Sequence, residues 1–403
     1  MLLLLMPLLL GQDTPSQANE LVVTSMPLAV EHGGRFPTLA ADPQGNAYVT
    51  WYARGEAKGE TKLQQKKWDG ETWSATTTIA EGGGWMVNWA DFAKFSIDAD
   101  GGAMVTWLAG AHGHHGYGVM YQKRRESGAG WTDPKPLHVD RDAVEHGFVS
   151  LLPYAEGNFF ATWIQSTADG PPTNLRYCIY GPTGKPGKEH ELDPLVCDCC
   201  GTSAVSFTDG HVLIAYRNRS KAEVRNIQLV YGDPQKPNSW KPSGFAEPQD
   251  WITRSCPVNG PSLAAMGQNV VLAYYHQGAD GTGQVKFSWS KDGGAKFQFP
   301  SLLQREGEIL GRVGTAMLCE DLAVLTWLEH QGETSRWMAC TLQMDGKVGP
   351  AVVLGEVKGA RADGFLQLIR ISGGVMAAWN GTTEGILNIS KIDLFPQKKD
   401  IAK

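Results

Sequence analysis

Charge is scarce in this chain of 403 residues: Asp, Glu, Lys and Arg together make up 19% of it. No tract of Lys and Arg interrupts the sequence and the net charge is −6, so the basic footprint of a nucleic-acid-binding protein is missing. Long apolar runs are missing too. Beyond the first ten residues no stretch is apolar for long enough to span a bilayer, and no membrane span is expected. Cysteine is sparse, and its odd count of seven leaves at least one thiol outside any intramolecular disulfide. Low charge excludes a coiled coil or a disordered chain. What the chain does have is glycine, at 48, and tryptophan, at 14, the profile of a turn-rich β protein.

The first residues, "MLLLLMPLLLGQDTPSQA", hold an apolar run of ten that fits the core of an export signal, with Ser16-Gln17-Ala18 as a small-x-small cleavage site. Residues 1–18 therefore read as a signal peptide and 19–403 as the mature domain, placed in the periplasm or outside the cell. An oxidising compartment would permit disulfides.

Internal repetition sets the fold. Seven 17-residue segments align without gaps: 35–51, 91–107, 147–163, 200–216, 258–274, 311–327 and 363–379. Each reads as a short strand, a polar or glycine turn, and a β-rich strand ending in an aromatic residue. The closing aromatics are Trp51, Trp107, Trp163, Tyr216, Tyr274, Trp327 and Trp379. A period near 50 residues with paired strands predicts an all-β, single-domain β-propeller of four-stranded blades. Seven blades are expected, starting near 35, 91, 147, 200, 258, 311 and 363, with six as the alternative. The last repeat has only one clear strand after Trp379, so a strand within 20–30 is expected to complete it and close the ring, leaving no sheet edge open there.

The alignment also places the chemistry. Counting back from each closing aromatic puts Arg35, Asp91, Gly147, Cys200, Val258, Gly311 and Asp363 where the innermost strand of a blade begins. Asn88, Glu145, His146, Cys197, Cys199, Cys256, Asn259, Arg312 and Arg361 lie beside them. The loops after the second strands return to the same face with "HGHH" (112–115), Arg217, Arg219, His276, Glu329 and His330. Residues far apart in sequence thus converge on a polar funnel at the mouth of the central channel, as at a ligand site. Asp91, Glu145 and His146 are the acid/base candidates; Arg35, Asn88, Arg217, Asn259, Arg312, Arg361 and Asp363 are the ligand-binding ones. Arginine forks suit carboxylates or sulfates.

Cys197, Cys199, Cys200 and Cys256 lie at the starts of adjacent blades. Two readings compete: one or two disulfides tying blade 4 to blade 5, or a soft-metal site for copper or zinc. Cys178, Cys319 and Cys340 fall within predicted strands and read as small packing residues, with Cys319 and Cys340 near enough in one blade to pair.

One turn is specific. Ser290-Lys291-Asp292-Gly293-Gly294-Ala295-Lys296-Phe297 resembles the Asp-box hairpin of sialidase-like propellers, and "KKWDGETW" (66–73) is a degenerate version. "VNWADF" (87–92), "EHGFVSL" (145–151), "CDCC" (197–200), "AYRNRS" (215–220) and "CPVNGP" (256–261) together resemble exported bacterial propellers labelled sialidase-like or exo-α-sialidase. That resemblance implies a glycan ligand, with Arg35 as one of the carboxylate-binding arginines. Sialidases also take their nucleophilic tyrosine from late in the propeller, and here no tyrosine follows Tyr275. Hydrolysis of an acidic glycan, binding without turnover, a metal or thiol site on the cysteines, and a monomeric envelope scaffold all remain as functional expectations.

Overall fold

The structure, a computed structural model, describes residues 20–110, 116–139, 145–167, 170–182, 186–245 and 250–394. Seven antiparallel sheets form a propeller, and six of them run in chain order from the channel outward. Blade 1 comprises Arg35–Ala41, Ala47–Arg54, Glu60–Trp68 and Thr77–Gly83. Blade 3 comprises His146–Tyr154, Asn158–Thr167, Gly170–Tyr180 and His190–Val196. Blade 7 has three strands of its own, Gln367–Ile371, Gly374–Asn380 and Ile386–Leu394. The fourth is Leu21–Ser25, paired antiparallel with Ile386–Leu394 from Leu21↔Leu394 to Ser25↔Ser390. The expected closure by the N-terminal strand is observed, and the count is seven rather than six.

Why these strands pack this way is written in their period. The second strand of each blade lies mid-sheet with a neighbouring blade on both faces, so it is buried along most of its length rather than at alternate residues. In Ala103–Gly110, Ala103, Val105 and Trp107 face blade 1, whereas Met104 and Leu108 face blade 3. This is the two-residue alternation of a strand serving two cores at once. Seven such cores lie between successive blades. Each closing aromatic packs in the core against the preceding blade: Trp51 against blade 7, Trp163 against blade 2, Trp327 against blade 5. Truncating such a ring to alanine removes ~3–5 kcal/mol.

The Ser290–Phe297 hairpin holds its shape through its own side chains. Ser290 Oγ donates to Asp292 Oδ1 at 2.7 Å and accepts from the Gly294 N–H at 3.0 Å. Asp292 Oδ1 also accepts from the Lys296 N–H at 2.9 Å, while Phe297 is buried. Cys178 and Cys340 are fully buried in inter-blade cores, as expected. Cys319 differs: it ends the strand Glu308–Cys319, is exposed, and donates to Asp321 Oδ1 at 3.0 Å instead of pairing with Cys340.

Candidate functional site at the channel mouth

The start of the innermost strand uses one device in three blades. Phe36, Phe148 and Arg312 adopt left-handed backbone, with φ of 49°, 54° and 52°, a conformation that is costly for a side-chain-bearing residue. Each turns its N–H towards a side chain of the preceding blade. Phe36 N–H donates to Asn380 Oδ1 at 2.6 Å, Phe148 N–H to Asp91 Oδ2 at 2.8 Å, and Arg312 N–H to Asn259 Oδ1 at 2.6 Å. Two of these residues follow a glycine that leaves room for the acceptor. A Cβ on Gly147 would lie 1.9 Å from Asp91 Oδ2, and one on Gly311 would lie 2.4 Å from Asn259 Oδ1. Asp91 and Asn259 therefore share a job, tying one blade to the next.

Asp91 adds charge to that role. It is 2% exposed, and burial raises its pKa to about 6, opposed by the Phe148 N–H bond and by Lys94. Lys94 is itself lowered by burial. Tyr117 is raised, first by burial and then by the negative charges of Asp91 and Glu145, which places both carboxyls near its phenol. Glu145 is exposed. His146 is 1% exposed and its ring stacks on His138 with centroids 3.4 Å apart and planes 7° apart. The three acid/base candidates thus gather at the junction of blades 2 and 3, with Tyr117 and Lys94 beside them.

The ligand-binding candidates divide into two groups. Arg217, 2% exposed, donates to the Asn259 carbonyl at 3.1 and 2.9 Å, to the Arg225 carbonyl at 2.7 Å and to the Tyr275 carbonyl at 2.7 Å. Its flat face covers Trp251 at 4.8 Å. Asn259 donates to the Pro257 and Leu310 carbonyls at 3.1 and 3.2 Å. Both hold main chain together, because buried carbonyls at the blade starts need donors. Glu329 is likewise committed, to Arg305 at 2.7 Å and to Trp327 Nε1 at 2.8 Å.

Arg312 and Arg361 form the second group. The Arg312 guanidinium lies 5.0 Å from the Trp89 ring and 5.6 Å from Phe365; that of Arg361 lies 5.9 Å from Trp89. The two rings stack 6.0 Å apart at 19°. Arg312 also donates to the Gly364 carbonyl at 2.7 Å, while Arg361 is exposed. Asp363 accepts from the Ala360 N–H at 2.7 Å and shapes the turn carrying Arg361. Asn88 Oδ1 accepts from the Ala90 N–H at 2.9 Å, shaping the turn carrying Trp89. Beside this platform opens a cavity of about 180 Å³, lined among others by Phe92, Lys94, Phe148, Thr202, Thr315 and Phe365. Arg35, exposed, lines a separate depression at the junction of blades 7 and 1 with Arg54, Asn380 and Glu384. "HGHH" lies outside the described residues. Trp89, Phe365, Lys94 and Tyr117 were not singled out from sequence. The available signal for Trp89 was an aromatic next to a strand start, off the repeating closing position.

The cysteines resolve into two pairs. Cys199 and Cys256 form a disulfide with Cα atoms 6.1 Å apart. Cys197 and Cys200, 1% and 2% exposed, face each other with sulfurs 3.0 Å apart. Cys197 Sγ lies 3.8 Å from Cys199 Sγ and accepts from Arg225 Nη1 at 3.3 Å. Its pKa is lowered to about 6, first by the Cys200 thiol and then, among other groups, by Arg217 and Arg225; Cys200 is pushed up by burial and by Cys197. With Cys199 and Cys256 bonded to each other, two of the four expected metal ligands are taken, while the sulfurs of Cys197, Cys199 and Cys200 lie within 4.8 Å of one another.

No family model matches the chain, and no curated protein matches it. Solved structures do. A protein of unknown function from Dyadobacter fermentans is 14% identical, over 93% of this chain and 99% of that one, with a TM-score of 0.52. The polysaccharide lyase Uly1 is 10% identical over 91% of each chain, with a TM-score of 0.55. The NanB sialidase from Streptococcus pneumoniae is 10% identical over 91% of this chain and 70% of its own, with a TM-score of 0.45. At these identities the likeness is one of fold alone.

Proposed function

We propose that this protein is exported and binds an acidic glycan at the channel mouth. The observation that carries the reading is the Trp89–Phe365 stack with the Arg312 and Arg361 guanidinium groups beside it. An aromatic face offers a platform for the apolar face of a sugar ring. A guanidinium at its rim adds a bidentate partner for a carboxylate or sulfate. The cavity next to the platform gives the chain end of a glycan somewhere to enter. The fold shared with the lyase Uly1 supports a carbohydrate ligand by analogy of architecture. The Cys199–Cys256 disulfide and the apolar run at residues 1–10 support export.

Within this reading Asp91, Glu145 and His146 form the acid/base edge. Asp91 keeps its proton to about pH 6, which suits a proton donor in weakly acidic solution. Trp89→Ala and Arg361→Ala are each expected to weaken binding of an oligouronate by about tenfold, ~1.4 kcal/mol, in a calorimetric titration. Unchanged affinity in both would move the ligand off this face. If the glycan is turned over, Asp91→Asn is expected to bind it normally and turn none over; full activity in that variant would remove Asp91 from the chemistry.

A further inference from the structure

We propose that the four clustered cysteines form a thiol–disulfide relay, in which the buried Cys197–Cys200 pair exchanges with the Cys199–Cys256 disulfide and, through Cys256, with an external disulfide. This activity is independent of glycan binding. Its basis is placement. Cys197 and Cys200 stand three residues apart in a Cys-x-x-Cys segment with their sulfurs already turned together at 3.0 Å. A disulfide bond spans ~2.05 Å, so about 1 Å of approach closes the pair. Neither sulfur can be reached from solvent. The disulfide beside them can: Cys256 is exposed and Cys199 half-buried. Cys197 Sγ stands 3.8 Å from Cys199 Sγ, within reach of attack after a small shift.

Arg225 holds the nucleophile. Its guanidinium is 3% exposed, donates to Cys197 Sγ, and is anchored by Glu223 at 2.9 Å and Asp198 at 3.4 Å. A cationic donor of this kind favours the thiolate, the form that attacks. The lowered pKa of Cys197 agrees with that environment.

The exchange balances without an added oxidant. The Cys197 thiolate attacks Cys199 Sγ, forming a Cys197–Cys199 bond and releasing Cys256 as a thiolate. The Cys200 thiol gives up its proton to Cys256, and Cys200 Sγ then attacks Cys197 Sγ and releases Cys199 as a thiolate. One disulfide has replaced another. Cys256, losing its proton, then attacks an external disulfide, releasing one thiolate from it. The Cys199 thiolate attacks Cys256 Sγ and releases the second. The Cys197–Cys200 pair has lost two electrons and the external disulfide has gained them. The partner class is therefore a small disulfide, or in reverse a dithiol, able to reach the rim of blades 4 and 5.

The test uses the full chain, oxidised glutathione as probe, acid quenching, alkylation and tryptic mapping. Residues 189–217 carry Cys197, Cys199 and Cys200 on one tryptic peptide, and residues 255–286 carry Cys256 on another. The wild-type protein is expected to lose alkylation at both Cys197 and Cys200 on exposure to the probe. Cys199→Ser/Cys256→Ser is expected to do so at least about tenfold more slowly, since the surface contact is gone. An equal rate, or a wild-type pair that never closes, would overturn the relay. Cys200→Ser gives a second reading that does not depend on the double variant folding. It should trap the first step, freeing the two peptides from each other with Cys256 alkylated and a loop joining Cys197 to Cys199. Peptides that stay linked throughout would also overturn the proposal.

Discussion

At the scale of the residue, Asp91 shows how one side chain serves stability and chemistry at once. Its acceptor role is the one Asn259 plays three blades further on, and an amide suffices there. What the carboxyl adds is a burial penalty. Its pKa lies at about 6 against an ordinary 3.8, so the folded state holds the proton more tightly than the unfolded chain. The penalty is absent below about pH 4, grows as pH rises through the interval to about 6, and is constant above it. Two pK units correspond to ~3 kcal/mol. Asp91→Asn is expected to flatten this part of the stability–pH curve and to be the more stable protein at pH 7, as read by urea unfolding from pH 4 to 7. A variant that keeps the slope would assign it to another group. Sequence placed Asp91 correctly at the start of a blade but could not show that its carboxyl faces a backbone N–H. Side-chain direction at a left-handed residue is set by the neighbouring blade, not by the local sequence. The same limit applies to Arg217: its position was legible, but its commitment to three carbonyls depends on how blades 4 and 5 meet.

At the scale of the element, the glycine preceding a left-handed residue is a requirement where the acceptor packs against it, as before Phe148 and Arg312. Gly311 has φ of 85° and its missing Cβ makes room for Asn259. Gly311→Ala combines a strained backbone with a clash against a buried amide, and is expected to cost ~2–4 kcal/mol in denaturant unfolding. An effect below ~1 kcal/mol would show that the junction relaxes easily. The strands themselves were readable because they repeat: the closing aromatic and the mostly apolar second strand recur in all seven blades and follow from burial on both faces. The turns were less so. The Ser290–Phe297 hairpin announced itself through its spacing, whereas the two turns that present Trp89 and Arg361 have no repeating signature. The cysteine pairing was open for a similar reason, since spacing leaves several partners and only the packing of blade 4 against blade 5 chooses among them.

At the scale of the whole molecule, closure depends on residues 20–30, which lie farthest in sequence from the blade they complete. Leu21, Leu28 and Val30 are buried there. Deleting residues 20–30 removes the outer strand of blade 7 and exposes the edge of Ile386–Leu394. The truncated protein is expected to melt several degrees lower and to associate through that edge in light scattering; an unchanged midpoint and a monodisperse solution would show that the ring does not need its clasp. A closed ring also fixes the funnel, because the platform draws Trp89 from blade 2, Arg312 from blade 6 and Phe365 from blade 7. The most direct measurement of the central claim is a calorimetric titration of the protein with an oligouronate and with the same oligosaccharide after its carboxyl groups are reduced to alcohols. Acidic-glycan recognition at the channel mouth gives saturable binding of the charged form, weakened by salt and at least about tenfold tighter than the reduced form. Equal affinity for the two, or no binding of either, would contradict it.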